Sequence, residues 1–334
     1  MTTTIEDDEL VAVLRHYAIG DLTDAHRIEK GFVNDSWDVS TSLGRFFLKR
    51  RHAEQRRPVI IRAQHDLMRW LHLAGFPTPA VHLTTTGDSI LDLNGEIYEI
   101  QEYIAGEPYD FGNPSHLDEA ARTLSRYHRA VEGLELAVLR GYDALYSPAL
   151  ARNLLESLIK AWRLEDDDGL LSQARALDTY LEQLTARFSV HKPLPHLVIH
   201  GDYYADNLVF DGNRIVGVVD YDKSRWQPRV VEVAEAVIFF SSPTPGNFQH
   251  LVYPGFLEWE PLERFLHLYA RESALAEHEI CALPDFVCCI WVQMSLANLV
   301  KKERIPEVAE ALLELLALAD WARNNARALK GAAT

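Results

Sequence analysis

Cysteine is scarce in this chain: there are three in 334 residues, at 281, 288 and 289. So few thiols cannot build a disulfide framework, their spacing matches no zinc template, and their number fits a reducing compartment. They lie on an apolar, helix-like stretch, so buried and unreactive thiols are expected. Nothing at the N-terminus, Met1 to Asp8, resembles a secretory signal, and the apolar run from Phe286 to Val292 is too short to span a bilayer. The expectation is a cytoplasmic protein with no membrane association. Positive charge is also in deficit, 33 Lys and Arg against 49 Asp and Glu, and the net charge of -16 disfavours nucleic acid as a partner. Neither an internal repeat nor a low-complexity tail is present, and no pattern fixes an oligomeric state. What the chain does have is apolar residues, 48% of the total, over a length that exceeds the usual single core and so implies two lobes.

Chemistry concentrates in one short region. Leu197-Val198-Ile199 leads into His200-Gly201-Asp202; Asn207 follows five residues later and opens the apolar run Leu208-Val209-Phe210. Asp211-Gly212-Asn213 reads as a turn, because Gly and Asn tolerate positive φ, and Ile215 to Val219 returns as a strand ending at Asp220. A hairpin of this kind brings Asp220 back toward Asn207. An aspartate able to take a hydroxyl proton, then an amide and a second carboxylate able to share magnesium, is the minimal apparatus for moving a phosphoryl group from ATP. Asp202 is therefore the candidate base, Asn207 and Asp220 the candidate metal ligands, and His200 a brace for the loop.

His-Gly-Asp-Tyr-Tyr-Ala-Asp-Asn at 200–207, with Val-Asp-Tyr-Asp at 219–222, resembles the signature of the aminoglycoside phosphotransferase and choline kinase family. Homoserine kinases of the second type, sugar kinases, coat-like kinases and a bacterial stress-response protein kinase are similar. The resemblance runs from about Arg27 to Trp321. It implies an α+β, bilobal protein-kinase-like fold: a small antiparallel-sheet lobe over 1–104, a hinge at about 102–106, and a mainly helical lobe over 105–334. It assigns Asp202 as base and Asn207 and Asp220 to magnesium, and puts Tyr221 where protein kinases have a phenylalanine.

Arg27 to Val39 reads as strand, polar turn, strand, and Gly44 makes a second turn before Arg45 to Lys49. The first turn would set backbone N–H groups over ATP phosphates, with Gly31, Asn34 and Ser36 as the candidates. By the resemblance, Lys49 contacts the α and β phosphates. Pro58 opens a helix in which Ile60, Gln64, Leu67 and Leu71 form a stripe ended by Gly75. Relatives carry the lysine-pairing glutamate at position 64, so this chain either takes its pairing acid from elsewhere or holds Lys49 loosely. Gly87 and Asn94-Gly95 punctuate two further strands, the second running from Glu96 to Tyr103; Glu102, Tyr103 and Ile104 are the hinge candidates for adenine.

In the large lobe, Asp118 to Val131 is an amphipathic helix in which His128 is structural. A helical insertion over 147–190 begins at Ser147-Pro148, carrying Leu150, Leu154, Leu158 and Trp162, and continues with Leu170, Ala174, Leu177, Leu181, Leu184 and Phe188. The run Glu165 to Asp168 is a solvated loop. Tyr203, Tyr204, Asp222 and Trp226 are placed to approach an acceptor or to pack the loop, and Glu232 stands where relatives carry an aspartate and braces the loop. Ile305-Pro306 opens a final helix. His191, His196 and His200 are separated by Pro193 and Pro195, which breaks any helix that could align them on zinc. The expected activity is ATP- and magnesium-dependent transfer to a hydroxyl of a small polar metabolite: an aminoglycoside, amino sugar, homoserine or another amino alcohol. Protein Ser/Thr phosphorylation and a non-catalytic, nucleotide-binding or structural role are the alternatives.

Overall fold

The computed structural model describes residues 7–28, 34–141, 143–164, 167–191, 193–242, 257–300 and 305–334. They form two compact units, one made of Met1–Glu107 with Glu135–Gly141 and Val209–Ser224, the other of Pro108–Leu134, Tyr142–Leu208 and Arg225–Thr334.

The first unit opens with a short helix, α1 (Asp7–Leu14), that the sequence pattern did not flag. Strands β1 (Leu22–Ile28), β2 (Asp35–Thr41) and β3 (Gly44–Arg50) follow as an antiparallel meander, with Ser36 opposite Lys49. Helix α2 (Pro58–Leu73) has proline in its first turn and ends before Gly75, as its residues dictate. Its buried stripe is Ile61, Gln64, Leu67, Met68 and Leu71, so Ile61 replaces the expected Ile60 on the inner face. Short strands β4 (Val81–His82) and β5 (Leu91–Leu93) lead to β6 (Glu96–Glu102), giving the order β1-β2-β3-β6-β4 with β5 also on β6. The antiparallel sheet expected near the N-terminus is thus observed. Trp37, Val39, Leu48, Tyr98 and Ile100 from its strands enclose Leu10, Val13 and Leu14 of α1. The end of β3 is buried on both faces, so Lys49, Arg50 and Arg51 are all under one-tenth exposed.

Beyond β7 (Glu107–Pro108) the chain is mainly helical. Helix α3 (Pro114–Ala130) starts four residues earlier than hydrophobic spacing indicates, because Asn113 caps it through Ser115 N and Pro114 supplies the first turn. Helices α4 (Pro148–Ala161) and α5 (Asp168–Val190) pack together as the expected helical hairpin. In α4 the buried set is Pro148, Ala151, Leu155 and Leu158, whereas Leu150 is 36% exposed. A strict four-residue spacing overshoots each turn by 40°, and the observed three-and-four alternation keeps the stripe on one face. Asp167 caps α5; Glu165 and Asp166 of the acidic run lie outside the described residues.

Strand β8 (His196–Ile199) ends at the His200-Gly201-Asp202 motif. Strands β9 (Leu208–Asp211) and β10 (Arg214–Val218) are the expected hairpin, and β9 lies between β10 and β7. Strand β11 (Arg225–Pro228) returns antiparallel to β8 with Arg225 opposite Ile199, a pairing that no local pattern announced. It runs into α6 (Arg229–Ser241). Helices α7 (Trp259–Glu272), α8 (Glu277–Leu299), α9 (Ile305–Asn324) and α10 (Ala326–Ala332) complete the chain, so α9 is not the last helix. The apolar run at 286–292 is the middle of the 23-residue α8, which is long and apolar enough to cross a membrane by length and composition. Its 18-residue apolar window is 67% buried within the fold, as the central helix of a packed unit would be. Cys288 and Cys289 sit in that interior; burial pushes the Cys288 thiol up to about 12, against the opposing hydrogen bond from Tyr180, at 2.9 Å. Cys281 differs from the expectation and is exposed, because it occupies the outer face of the same helix.

Candidate active site

The loop after β8 is braced through its backbone. Gly201 has φ +77°, a left-handed conformation that favours glycine, and its N–H donates to Glu232 Oε1 at 2.7 Å. The other Glu232 oxygen, Oε2, meets His128 Nε2 at 2.8 Å, and His128 Nδ1 meets the Tyr269 hydroxyl at 2.7 Å. Asp202 N–H donates to His200 Nδ1 at 3.3 Å, and Asn207 Nδ2 donates to the Asp202 carbonyl at 2.8 Å. The Tyr203 hydroxyl donates to the Ala120 carbonyl, and Tyr203 is fully buried, so it packs the loop and does not approach an acceptor. Tyr204 is half-buried with its ring 5.5 Å from that of Phe239, and Trp226 stacks on His196. His200, Asp202, Asn207 and Glu232 are therefore gathered by hydrogen bonds within one unit.

A second cluster forms in the other unit. Lys49 Nζ lies 3.3 Å from Asp220 Oδ1, 3.2 Å from Asp222 Oδ1 and 3.9 Å from Glu99 Oε1. Burial depresses the Lys49 pKa, but Asp220 and then Asp222 outweigh it and hold the amine above its ordinary value. Arg51 contacts Glu99 at 2.8 Å and Asp222 at 2.7 Å. Gln64 Nε2 donates to the Asp222 backbone carbonyl at 2.8 Å and does not bond Lys49. The pairing acid absent from α2 is thus supplied by Glu99, directly opposite Lys49 in the β3–β6 register, together with Asp222. Asp222 also accepts from Asn34 Nδ2 at 2.9 Å, so its carboxylate supports this cluster. Sequence reasoning missed Glu99 and His65, whose Nε2 lies 3.1 Å from Glu99 Oε2. A glutamate between Tyr98 and Ile100, inside an apolar strand, was the available signal.

The remaining expected residues are more ordinary. Gly31 lies outside the described residues. Asn34 Oδ1 accepts from His52 N–H, which with its bond to Asp222 occupies both ends of the amide. Ser36 is buried within the sheet. Glu102 N–H donates to the Ala80 carbonyl, Tyr103 carries the Arg45 guanidinium 3.7 Å over its ring, and Ile104 packs so close to Gly217 that a Cβ there would lie 2.7 Å from Ile104 Cδ1.

Asn207 and Asp220, in different units, each offer an oxygen donor of the kind magnesium takes. Asn207 turns its nitrogen to the Asp202 carbonyl, which leaves its oxygen outside that bond, and Asp220 sits at φ 66° with a side chain 42% exposed. In the Lys49 cluster, two cations face three carboxylates, a balance that accommodates added positive charge. Among the described residues no three His, Cys, Asp or Glu side chains converge into a closed metal cage. Magnesium in a phosphotransferase requires none, since nucleotide and water supply most of its oxygens.

The model of the phosphotransferase enzyme family matches residues 24–274. The chain belongs to that family. A homoserine kinase of Methylobacillus glycogenes is 27% identical to this phosphotransferase over 301 residues, covering 89% of this chain and 86% of the relative. Amicoumacin kinase hAmiN, solved with AMP-PNP, Ca2+ and Ami, superposes with TM-score 0.68 at 13% identity, over 95% of this chain and 94% of that one. A microcompartment-associated aminopropanol kinase gives 0.64 at 14% identity, over 97% and 98% respectively. The fold is protein-kinase-like. The phosphotransferase is a kinase that transfers phosphate to the hydroxyl of a small molecule, and membership of a kinase family implies ATP as donor.

Proposed function

We propose that this phosphotransferase moves the γ-phosphoryl group of ATP, with magnesium, to the hydroxyl of a small polar metabolite that also bears an amine: homoserine, another amino alcohol, an amino sugar or an aminoglycoside. The braced Asp202 carries the reading, because Glu232, His200 and Asn207 spend their hydrogen bonds on fixing the backbone around that one carboxylate. Asp202 orients the acceptor hydroxyl and takes its proton. Lys49, held by Asp222 and Glu99, meets the α and β phosphates. Asn207, through its amide oxygen, and Asp220 would hold magnesium, which when bound offsets the charge that builds on the transferred group. The backbone at 102–104 meets adenine, and a metabolic reaction drawing on ATP belongs in the cytoplasm.

The test is ATP consumption against a panel of homoserine, aminopropanol, choline, amino sugars, aminoglycosides and plain sugars. Turnover of an amine-bearing alcohol is expected. Asp202→Asn should lower kcat by about 10²- to 10⁴-fold, the span attributed to a positioned acid or base, with ATP binding changed only a few-fold. Full turnover by Asp202→Asn would show that another group accepts the proton.

A further inference from the structure

Helices α5, α8, α9 and α10 of the mainly helical unit line a cavity of about 210 Å³, and none of the residues assigned to phosphoryl transfer is among its walls. Ala322 of α9, Ala326 of α10 and Pro284 of α8 belong to those walls, and their small side chains leave the space unfilled. Charge lines the rest. Arg187 of α5, Arg323 of α9 and Lys330 of α10 are present with a single carboxylate, Asp285. That carboxylate is engaged at both oxygens: Arg187 Nε donates to Oδ1 at 2.9 Å, and His191 Nε2 lies 3.1 Å from Oδ2. Arg323 meets Asp320, three residues earlier on α9, but both side chains are more than six-tenths exposed, and a pair so open to water is weak. Lys330 has no hydrogen-bond or ion-pair partner among the described residues. Two cations therefore line this space with no lining carboxylate to meet them, in a chain whose net charge is -16.

We propose that this cavity binds a small dianion, a phosphate monoester or a dicarboxylate, through Arg323 and Lys330. A guanidinium presents a planar fork that matches a carboxylate or a phosphate with two parallel hydrogen bonds, and an ammonium adds a compact charge with rotatable donors. Two such cations suit two negative charges. The volume of about 210 Å³ lies below the roughly 300–1,000 Å³ of drug-sized sites, so the ligand is a small metabolite and not a nucleotide. Arg187 forms a fixed wall, held by Asp285 and by the Tyr180 ring, whose centroid lies 5.5 Å from the guanidinium carbon. A dianion bridging Arg323 and Lys330 ties α9 to α10, and because only the folded chain brings those two cations together, it stabilises the folded state.

The cavity carries its own reporter. Cys281 lines it and is exposed, whereas Cys288 and Cys289 are buried, so an uncharged alkylating reagent such as iodoacetamide reads Cys281 alone in the folded protein. The experiment follows alkylation of the full chain by mass spectrometry against increasing glycerol 3-phosphate or succinate, with sodium chloride at matched ionic strength as the control. At least one dianion should slow labelling severalfold, with half-saturation at about 1 mM or below, while chloride leaves the rate unchanged. The lower half-saturation assigns the ligand as a phosphate ester or a dicarboxylate. Lys330→Gln and Arg323→Gln should each raise that concentration by about tenfold or more, as loss of a charge-assisted hydrogen bond does. Arg327→Gln removes the same charge from an exposed position of α10 outside the cavity and should leave it unchanged. Ala326→Leu, which fills the space and keeps every charge, should abolish the protection. Alkylation that no dianion slows beyond chloride would overturn the proposal, as would protection that survives in both Lys330→Gln and Arg323→Gln. Equal weakening in Arg327→Gln and Lys330→Gln would also overturn it, because a diffuse field and not a site would then account for the effect. None of these outcomes touches the kinase reading, since no turnover is measured.

Discussion

Lys49 illustrates how a single buried cation is made tolerable. Its amine is 7% exposed, yet Asp220, Asp222 and Glu99 all lie within 4 Å, so the desolvation penalty is met by three carboxylates without any acid from α2. Gln64, on the inner face of α2, donates to the Asp222 carbonyl. Replacing it with glutamate would remove that donor and set a carboxylate against a carbonyl oxygen. Gln64→Glu should therefore destabilise the fold by about 1–3 kcal/mol, the cost of an unsatisfied buried polar group, and should not lower KM for ATP. Chemical denaturation and ATP titration check both halves, and an improved ATP KM would show that Lys49 does lack a partner. Asp220 is a second residue shaped by its setting. Its left-handed backbone costs on the order of 1 kcal/mol and turns the carboxylate toward Lys49, a distortion of the kind that persists where a side chain must be aimed.

Elements explain why part of this arrangement was legible in the sequence and part was not. The strands around the signature, the hairpin from 208 to 218 and the first three strands all announce themselves through alternation and turn residues, which are local. The β3–β6 pairing that puts Glu99 opposite Lys49 is not local, since register across 50 residues leaves no trace in spacing. The same holds for β11 on β8. The early start of α3 was readable from Asn113-Pro114, but the apolar stripe, which begins inside the helix, masked it. The β3–β6 pair also sets a pH dependence. Burial pushes the Glu99 carboxyl up, but Arg51, His65 and Lys49 overcome that and hold it below its ordinary value of 4.5. A carboxylate depressed in the folded state contributes stability that is full above its unfolded pKa and is lost as pH falls through the folded one. Glu99→Gln should cost about 3–5 kcal/mol at neutral pH, because Arg51 loses the charge it is buried against. The difference between variant and wild type should shrink as pH drops below 4.5, which urea midpoints measured on either side of that value would show. A pH-independent difference would mean that Glu99 stabilises through packing alone.

At the scale of the whole molecule, the family match over residues 24–274 fixes the type of reaction and the superposition of kinases along almost the full chain fixes the fold, while metal and nucleotide can be separated by what they do to stability. A ligand that binds only the folded chain adds about 2.7 kcal/mol at 100 times its dissociation constant, enough to move a melting curve by several degrees. Magnesium with an ATP analogue should therefore raise the melting temperature more than the analogue with chelator. Asp220→Ala should lose the magnesium-dependent part of that shift, because the exposed carboxylate is the only charged group assigned to the metal. Asp202→Asn should keep it, because its carboxylate is assigned to the acceptor proton. The two variants thus divide metal binding from proton acceptance in one measurement. An Asp220→Ala protein that retained the magnesium-dependent shift would require a different carboxylate to carry the ion, and the cluster around Lys49 would then be a site for the nucleotide alone.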